Sequence, residues 1–237
     1  MTTSIPAGQA RPFTKATPLL QVRGSYPPLE QIRALGDQSE RRSREAFVRL
    51  WLTEGIPFAF RDCPAIYEDL RGWLAARIGV HPKEVTLLGS ARLGYSLGGG
   101  RNLGQPFGPR SDFDFGIVSS RLFTRLCDLF EAWKHDYANG AVRPRHKREC
   151  HLWDANLHFG RQNLPQGFFD PNKIPTLDRY PLAQELGQSM WVLLEKLKQT
   201  PDAPIPKRAS IRVYDGWNSL VERVSFNLYR VFSDRAA

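Results

Sequence analysis

Apolar residues recur every three to four positions over long stretches of this chain, a spacing that predicts amphipathic helices. Local stop and start signals agree with the spacing, since one stretch ends at Gly55 and the next runs from Pro64 to Gly79. A shorter helix is predicted after Pro28. The other predicted helices, in chain order, cover 39–53, 64–79, 122–133, 182–197 and 220–231.

Two segments show patterns that are typical of strands instead. Residues 85–88 form a short apolar run, which predicts a buried strand. In residues 112–118 polar and apolar positions alternate, so that Asp112 and Asp114 project from one face and aromatic side chains project from the other. A strand at this place would therefore present two carboxylates side by side.

Further strands are predicted over 150–157 and 211–214, and no internal repeat is found. Helices that alternate with a few short strands place the chain in the α/β (α+β) class, with a small sheet. Residues 1–27 are rich in Thr, Ser, Pro and Gly without hydrophobic periodicity, which predicts a flexible N-terminal arm. Residues 28–237 are predicted to form a single domain with additional helices before and after the sheet.

The charge of the chain narrows the choice of partners. There are 33 Lys and Arg residues against 24 Asp and Glu residues, which gives a formal net charge of +9. Such an excess favours polyanionic partners, namely nucleotides, nucleic acid or an acidic protein, without choosing among them. No apolar run approaches the length of a membrane span, so no membrane partner is expected. Three widely spaced cysteines and the lack of a secretory signal predict reduced thiols and a cytoplasmic protein.

The acid pair formed by Asp112 and Asp114 is the clearest candidate for chemistry. Residues at positions i and i+2 of a strand lie on the same face a few ångströms apart, where two carboxylates repel each other. A divalent cation removes this conflict, because Mg²⁺ prefers hard oxygen ligands and bridges carboxylates to substrate phosphates. The pair therefore predicts a Mg²⁺ site of the kind that phosphoryl transfer uses.

A second candidate precedes the acid pair in the chain. Gly89 and Ser90 directly follow the predicted strand 85–88 and stand where a helical turn can begin. The start of a helix offers backbone N–H groups to a phosphate, and glycine allows the phosphate to approach the backbone closely. The hydroxyl of Ser90 can add a hydrogen bond, and Arg92 can add positive charge. These three residues predict a phosphate-binding turn.

Together, the two segments Leu88-Gly89-Ser90-Ala91-Arg92-Leu93-Gly94 and Ser111-Asp112-Phe113-Asp114-Phe115 resemble the nucleotidyltransferase superfamily that includes DNA polymerase beta. The resemblance implies a mixed sheet flanked by helices, two Mg²⁺ ions and a nucleoside triphosphate as the donor. By position in the family pattern, Gly89 and Ser90 would hold the triphosphate, and Asp112 and Asp114 would hold metal. The resemblance covers residues 85–118.

The sequence departs from the family pattern in two ways. Ser90 and Asp112 are 22 positions apart (112 − 90), because residues 94–110 form a loop with six glycines and two prolines. This loop is interpreted either as a mobile flap over the nucleotide or as a tolerated insertion. The third acid of the family is also not evident. Asp154 is preferred as the third catalytic residue, and Asp215 is the alternative.

The resulting expectation is a Mg²⁺-dependent nucleotidyltransferase, with Mn²⁺ as an alternative cation. It would transfer a nucleotidyl group from a nucleoside triphosphate such as ATP and release pyrophosphate. The candidate acceptors are RNA, a second nucleotide, a protein side chain and a small molecule, and the basic charge favours the first two.

Two other classes of function stay open. If neither Asp154 nor Asp215 joins the acid pair, the expectation becomes a catalytically degenerate nucleotide-binding sensor or partner protein. The other alternative is a nucleic-acid-binding module in which the acids are incidental. Proteins of the resembled type occur in bacterial defence and toxin systems, so a role of that kind is an expectation from family analogy alone.

Overall fold

A four-stranded mixed sheet forms the centre of the protein in a computed structural model, which describes residues 17–38 and 41–233. The strands lie in the order β1-β2-β4-β3, with β1 antiparallel to β2, β2 parallel to β4 and β3 antiparallel to β4. Their bounds are Val85–Leu88 for β1, Asp112–Val118 for β2, Phe168–Phe169 for β3 and Arg208–Tyr214 for β4. The predicted strand 85–88 is thus confirmed, and the predicted strand 211–214 lies within β4.

Helices cover both faces of the sheet, which makes the fold α+β, within the predicted class. The eight α-helices of the described ranges are α1 (Leu29–Gln38), α2 (Arg41–Phe47), α3 (Pro64–Ile78), α4 (Ser90–Leu93), α5 (Ser120–Ala138), α6 (Lys147–Asn163), α7 (Pro181–Gln199) and α8 (Trp217–Ser233). Within the described residues, no helix combines the length and the apolarity that crossing a membrane requires.

Successive side chains of β2 point to opposite faces of the sheet and pack against different sets of helices. Phe113, Phe115 and Ile117 are fully buried in a core that includes side chains of α3, α5, α6 and α7. The opposite face of the sheet contributes Val118 to a second core, which it shares with α1, α2 and α8. Asp112, Asp114 and Val118 are alternate or even-spaced positions of one strand, so their side chains point to the same face. The side chains of the acid pair therefore lie on the α8 face of the sheet.

The helix α6 corrects one prediction. Residues 150–157, predicted as a strand, lie in the middle of this helix. Its buried residues Trp153, Asn156 and Gly160 follow the spacing of one helix face, but only the first is strongly apolar, so the hydrophobic pattern is weak. A Cβ atom on Gly160 would lie 2.2 Å from two ring carbons of Phe130 on α5, so the absence of a side chain lets the two helices approach each other.

The predicted N-terminal arm is only partly described. Residues 1–16 lie outside the described ranges, and so do residues 39 and 40, where the predicted helix 39–53 would begin. Residues 17–27 pack on the domain, because Val22 is buried in the core of the α8 face and the indole N–H of Trp51 donates a hydrogen bond to the carbonyl of Gly24. This part of the predicted arm is therefore ordered against the body of the domain. After α2 the chain forms a π-helical turn over Val48–Leu52.

Candidate functional site

A cavity of about 740 Å³ opens at the end of the sheet where β1 ends, and we call it the sheet-end cavity. The sheet contributes Leu88, Asp114, Phe115, Ser210, Arg212 and Tyr214 to its lining. Val224, Asn227, Leu228, Arg230 and Val231 line it from α8. The volume lies within the range of pockets that enclose small molecules, and the lining combines apolar walls with a few polar groups.

The Gly-Ser turn and Asp114 of the acid pair meet in this cavity. Leu88, the last residue of β1, is the register partner of Asp114 on β2, so Gly89 directly follows the paired position. A Cβ atom on Gly89 would lie 3.1 Å from Oδ2 of Asp114. Two segments that are 25 positions apart in sequence (114 − 89) are therefore in contact, as the predicted site requires.

The backbone of the turn depends on glycine. Gly89 has φ +67° and ψ −148°, a conformation that residues with a side chain rarely adopt. The next residue, Ser90, begins the short helix α4 and lines the sheet-end cavity. The first N–H groups of a helix have no partner within the helix, so they remain able to bind an anion. The structure thus places Gly89 and Ser90 where the sequence predicts a phosphate-binding turn.

The two acids have different surroundings. The carboxylate of Asp114 is exposed, and its Oδ1 accepts a hydrogen bond of 2.8 Å from the hydroxyl of Ser210. Oδ2 of Asp112 lies 3.5 Å from the guanidinium of Arg208, whereas its Oδ1 is buried without a hydrogen-bond partner among the described groups. An orphaned carboxylate oxygen beside a second carboxylate fits a divalent cation, which would supply the missing partner.

The residues fit one cation that substrate oxygens help to hold, and they do not form a closed metal cage. Across residues 17–38 and 41–233, no three His, Cys, Asp or Glu side chains are grouped so that they could hold a metal ion. Mg²⁺ is commonly held by one or two carboxylates together with substrate phosphates and water, so a pair is sufficient for that mode of binding.

The structure corrects the assignment of the third acid. In the parallel pairing of β2 with β4, Asp114 lies opposite Ser210 and Asp112 lies opposite Arg208. The position on β4 beside Asp114 is the one from which a side chain can reach the acid pair. A serine, Ser210, occupies this position. This position could not be predicted because it depends on the pairing of two strands whose facing residues are 96 positions apart in sequence.

Neither of the two acids predicted as the third catalytic residue lies beside the acid pair. Asp154 lies on α6, on the other face of the sheet, where its Oδ1 accepts a hydrogen bond of 3.0 Å from the hydroxyl of Tyr137. Asp215 follows the opposite end of β4, and its Oδ1 accepts a hydrogen bond of 2.6 Å from Ser219. The placement of Asp154 removes it from the candidate site because the segment 150–157 is a helix and not a strand of this sheet.

The role predicted for Arg92 also needs correction. Its side chain is buried and points away from the sheet-end cavity, because Nε donates to the carbonyl of Trp51 and Nη1 to that of Gly55, both at 2.8 Å. Burial lowers the pKa of this guanidinium. Arg92 therefore fixes the turn after Leu52 to α4, and its positive charge is not presented to a phosphate.

An ion pair in the cavity was not predicted from the sequence. Asp170, which follows β3, accepts hydrogen bonds of 2.6 and 3.0 Å from Nε and Nη2 of Arg212 on β4. Burial lowers the pKa of Arg212, but the hydrogen bonds and the charge of Asp170 outweigh burial, so the pKa lies above its ordinary value. No local pattern in the sequence marks Asp170, since its partner is brought to it by the pairing of β3 with β4.

Replacing Asp170 by asparagine is expected to lower the free energy of unfolding by about 1.5 kcal/mol, because Arg212 would keep its charge and lose its carboxylate in a partly buried place. Urea denaturation of the variant and the wild type measures this difference. The matched control is Glu195→Gln, which removes an exposed ion pair with Lys198 and should change stability by less than about 0.5 kcal/mol. Equal losses of unfolding free energy in the two variants would show that the Asp170–Arg212 pair stabilises the fold no more than an exposed ion pair does.

The glycine-rich loop is ordered by its own backbone. The N–H of Ser96 donates to the carbonyl of Gln105, and the N–H of Gly104 donates back to the carbonyl of Ser96. The tip of this loop, residues 96–100, lines the sheet-end cavity opposite α8. Of the two interpretations of the loop, a flap over a ligand agrees with this position.

Comparisons of the chain with family models, with curated proteins and with solved structures give no match.

Proposed function

We propose that this protein is a nucleotidyltransferase that binds a nucleoside triphosphate in the sheet-end cavity. The observation that carries the proposal is the contact between Gly89 and Asp114, which joins a phosphate-binding turn to a carboxylate on the next strand. The small mixed sheet flanked by helices supports it further, because the resembled superfamily has a sheet of this kind. The cavity is also large enough for a nucleotide.

Each group of the cavity has a task in this proposal. The hydroxyl of Ser90 and the N–H groups at the start of α4 bind triphosphate oxygens. The apolar side chains of Leu97, Leu228 and Val231 accept the flat base, and Ser210 holds the carboxylate of Asp114 in place by its hydrogen bond. Asp112 and Asp114 would hold Mg²⁺ or Mn²⁺, which neutralises phosphate charge when it is bound.

The reaction exchanges one bond at the α-phosphorus for another. An acceptor hydroxyl forms a bond to that phosphorus, the bond to the oxygen that bridges the α- and β-phosphates breaks, and pyrophosphate leaves with the electron pair. The acceptor hydroxyl also loses its proton, which passes to solvent water because no third carboxylate lies beside the acid pair. A positioned general base contributes about 10²–10⁴-fold to such a step. Because Ser210 occupies the place beside Asp114, we expect a transferase that is slower by a factor of this order than one with a third carboxylate.

A second candidate function follows from the same observation. Serine at 210 and a guanidinium, Arg208, beside Asp112 favour a protein that binds a nucleotide and does not transfer it. Such a protein would act as a nucleotide sensor or as the partner of another protein. Both functions need the same cavity, so nucleotide binding alone does not separate them.

The experiment that separates them follows a radioactive α-phosphate. The full chain is incubated with each labelled nucleoside triphosphate, total RNA and Mg²⁺ or Mn²⁺, and the label is then traced in RNA, in protein and in small products. Label in any of these fractions supports transfer and identifies the acceptor class. Nucleotide binding without transferred label supports the sensor. Neither binding nor transfer, with any of the nucleotides, would refute both functions.

Removing the divalent cation is expected to weaken nucleotide binding at least about tenfold, because two carboxylates would then face the triphosphate without a counterion. Equilibrium binding of a fluorescent ATP analogue, with Mg²⁺ and then with excess chelator, measures this change. The control is the Asp112→Asn/Asp114→Asn variant, whose nucleotide affinity should respond much less to the chelator. An unchanged affinity of the wild type after chelation would contradict a cation site at the acid pair.

A further inference from the structure

A second cavity, of about 280 Å³, lies beside α8 and is separate from the sheet-end cavity. We call it the α2–α8 pocket, and its principal lining residues are Arg41, Arg44, Phe168, Arg223, Phe226 and Tyr229. On α8 the pocket takes residues 219, 222, 223, 225, 226 and 229, whereas the sheet-end cavity takes residues 224, 227, 228, 230 and 231. Successive residues of a helix are turned by about 100°, so the two sets occupy adjacent sides of α8.

Positive charge in the α2–α8 pocket is only partly neutralised. Arg41 pairs with Glu45 and with Glu222, at 2.6 and 2.7 Å. Nε of Arg223 is buried and has no hydrogen-bond partner among the described residues. Burial, and next the charge of Arg212, lower the pKa of Arg223. Arg223 is partly exposed, so an anionic ligand can reach this guanidinium and supply the acceptor that its Nε lacks.

Aromatic rings make up the rest of the pocket surface. Phe226 and Tyr229 are 49% and 46% exposed, which is unusual for large apolar rings on a helix whose other side is buried. The guanidinium of Arg223 lies 4.5 Å from the ring centre of Phe168 and 6.0 Å from that of Phe226. The guanidinium of Arg44 lies 5.0 Å from the ring centre of Tyr229.

Flat rings alternating with guanidinium groups are the surface on which bases of single-stranded nucleic acid stack, while arginine side chains hold the adjacent phosphates. An exposed aromatic patch without charge would fit an apolar protein partner better. The arginines of the pocket and the net charge of +9 favour a polyanion instead. The cavity volume lies near the lower end of ligand pockets, which suits one nucleotide of a longer strand.

We propose that the α2–α8 pocket binds one nucleotide of a single-stranded nucleic acid. The base stacks against Phe226 and Tyr229, and the phosphate contacts Arg223. This site does not use the acid pair or the Gly-Ser turn, so it goes beyond the proposed nucleotidyl transfer. It gives the protein a contact for a strand next to the sheet-end cavity, because the ring of Phe168 lies between Arg223 of the pocket and Arg212 of that cavity.

The test is the fluorescence anisotropy of a labelled decauridylate, titrated with the full chain at several salt concentrations and without nucleoside triphosphate. Phe226→Ala is expected to weaken binding about tenfold, which is the usual effect of losing one stacking ring. Arg223→Gln is expected to weaken binding and to reduce the salt slope by about one. Both side chains lie at the pocket surface, and circular dichroism shows whether each variant remains folded.

Matched controls come from the same chain. Trp191→Ala removes an aromatic ring on α7 that is 63% exposed, and Arg125→Gln removes an exposed arginine on α5. Both variants should bind the oligonucleotide as the wild type does. Asp112→Asn/Asp114→Asn should also retain binding, even if it abolishes transfer, so the two proposals fail or succeed separately. The pocket assignment would be overturned if folded Phe226→Ala and Arg223→Gln proteins bound as tightly as the controls, or if the wild type bound no oligonucleotide.

Discussion

Asp114→Asn is expected to lower nucleotidyl transfer about 10³-fold, because several kcal/mol of transition-state stabilisation depend on the charge at this position. Asparagine has nearly the same shape as aspartate and can still accept the hydrogen bond from Ser210, so the fold of the site is retained. What is lost is one negative charge beside the phosphate-binding turn, and with it the affinity for a divalent cation. Initial rates of label transfer at saturating nucleotide measure the effect.

The control for this prediction is Asp154→Asn. Its side chain is held by Tyr137 on the other face of the sheet, so the variant should retain transfer within about twofold. A loss in Asp154→Asn as large as that in Asp114→Asn would restore the assignment of Asp154 as the third catalytic acid. Full transfer by Asp114→Asn would show that the acid pair is not the site of the reaction.

Gly160→Ala is expected to lower the free energy of unfolding by about 3 kcal/mol, although alanine is the better helix former. The added methyl group would lie 2.2 Å from two ring carbons of Phe130. That ring cannot easily move, since it is fully buried and packs against Trp133 and Phe169 with ring centres 5.7 and 5.4 Å away. Close-packed cores absorb such overlap only by shifting side chains and backbone. Urea denaturation followed by circular dichroism measures the loss.

Gly187→Ala provides the matched control with the opposite sign. Gly187 lies on α7, and a Cβ atom there would meet no other heavy atom within 4 Å. The substitution should therefore raise the free energy of unfolding by up to about 1 kcal/mol, through helix propensity alone. Similar changes in the two variants would mean that α6 does not contact α5 through Gly160.

The elements that could be predicted from the sequence are those with a strong local pattern. The alternation over 112–118 predicts β2 and puts Asp112 and Asp114 on one face, where the structure has them. The apolar periodicity of α5, α7 and α8 likewise follows from burial of one helix side against the sheet. The Gly-Ser turn was predictable because its signal, a glycine directly after an apolar run, is also local.

The parts that could not be predicted depend on contacts between distant segments. Ser210 faces Asp114 only because β4 pairs with β2 in parallel, and neither strand carries a signal for the other. Arg92 is buried because its side chain donates hydrogen bonds to two backbone carbonyls near residue 55. The sequence shows its positive charge but not these contacts, so the predicted phosphate contact was wrong. α6 buries an asparagine and a glycine beside Trp153, which left no apolar stripe to indicate a helix.

The parallel pairing of β2 with β4 also determines when the sheet-end cavity can form in a nascent chain. The Gly-Ser turn and the acid pair leave the ribosome well before residues 208–214, which must travel back to pair with β2 across 96 positions. Residues 210–231 supply one side of the sheet-end cavity, and residues 219–229 supply α8's part of the α2–α8 pocket. Long-range parallel pairing is intrinsically slow to form. Partly synthesised chains therefore carry the Gly-Ser turn and both acids without a closed cavity, so the proposed nucleotide site is complete only after β4 and α8 have been made.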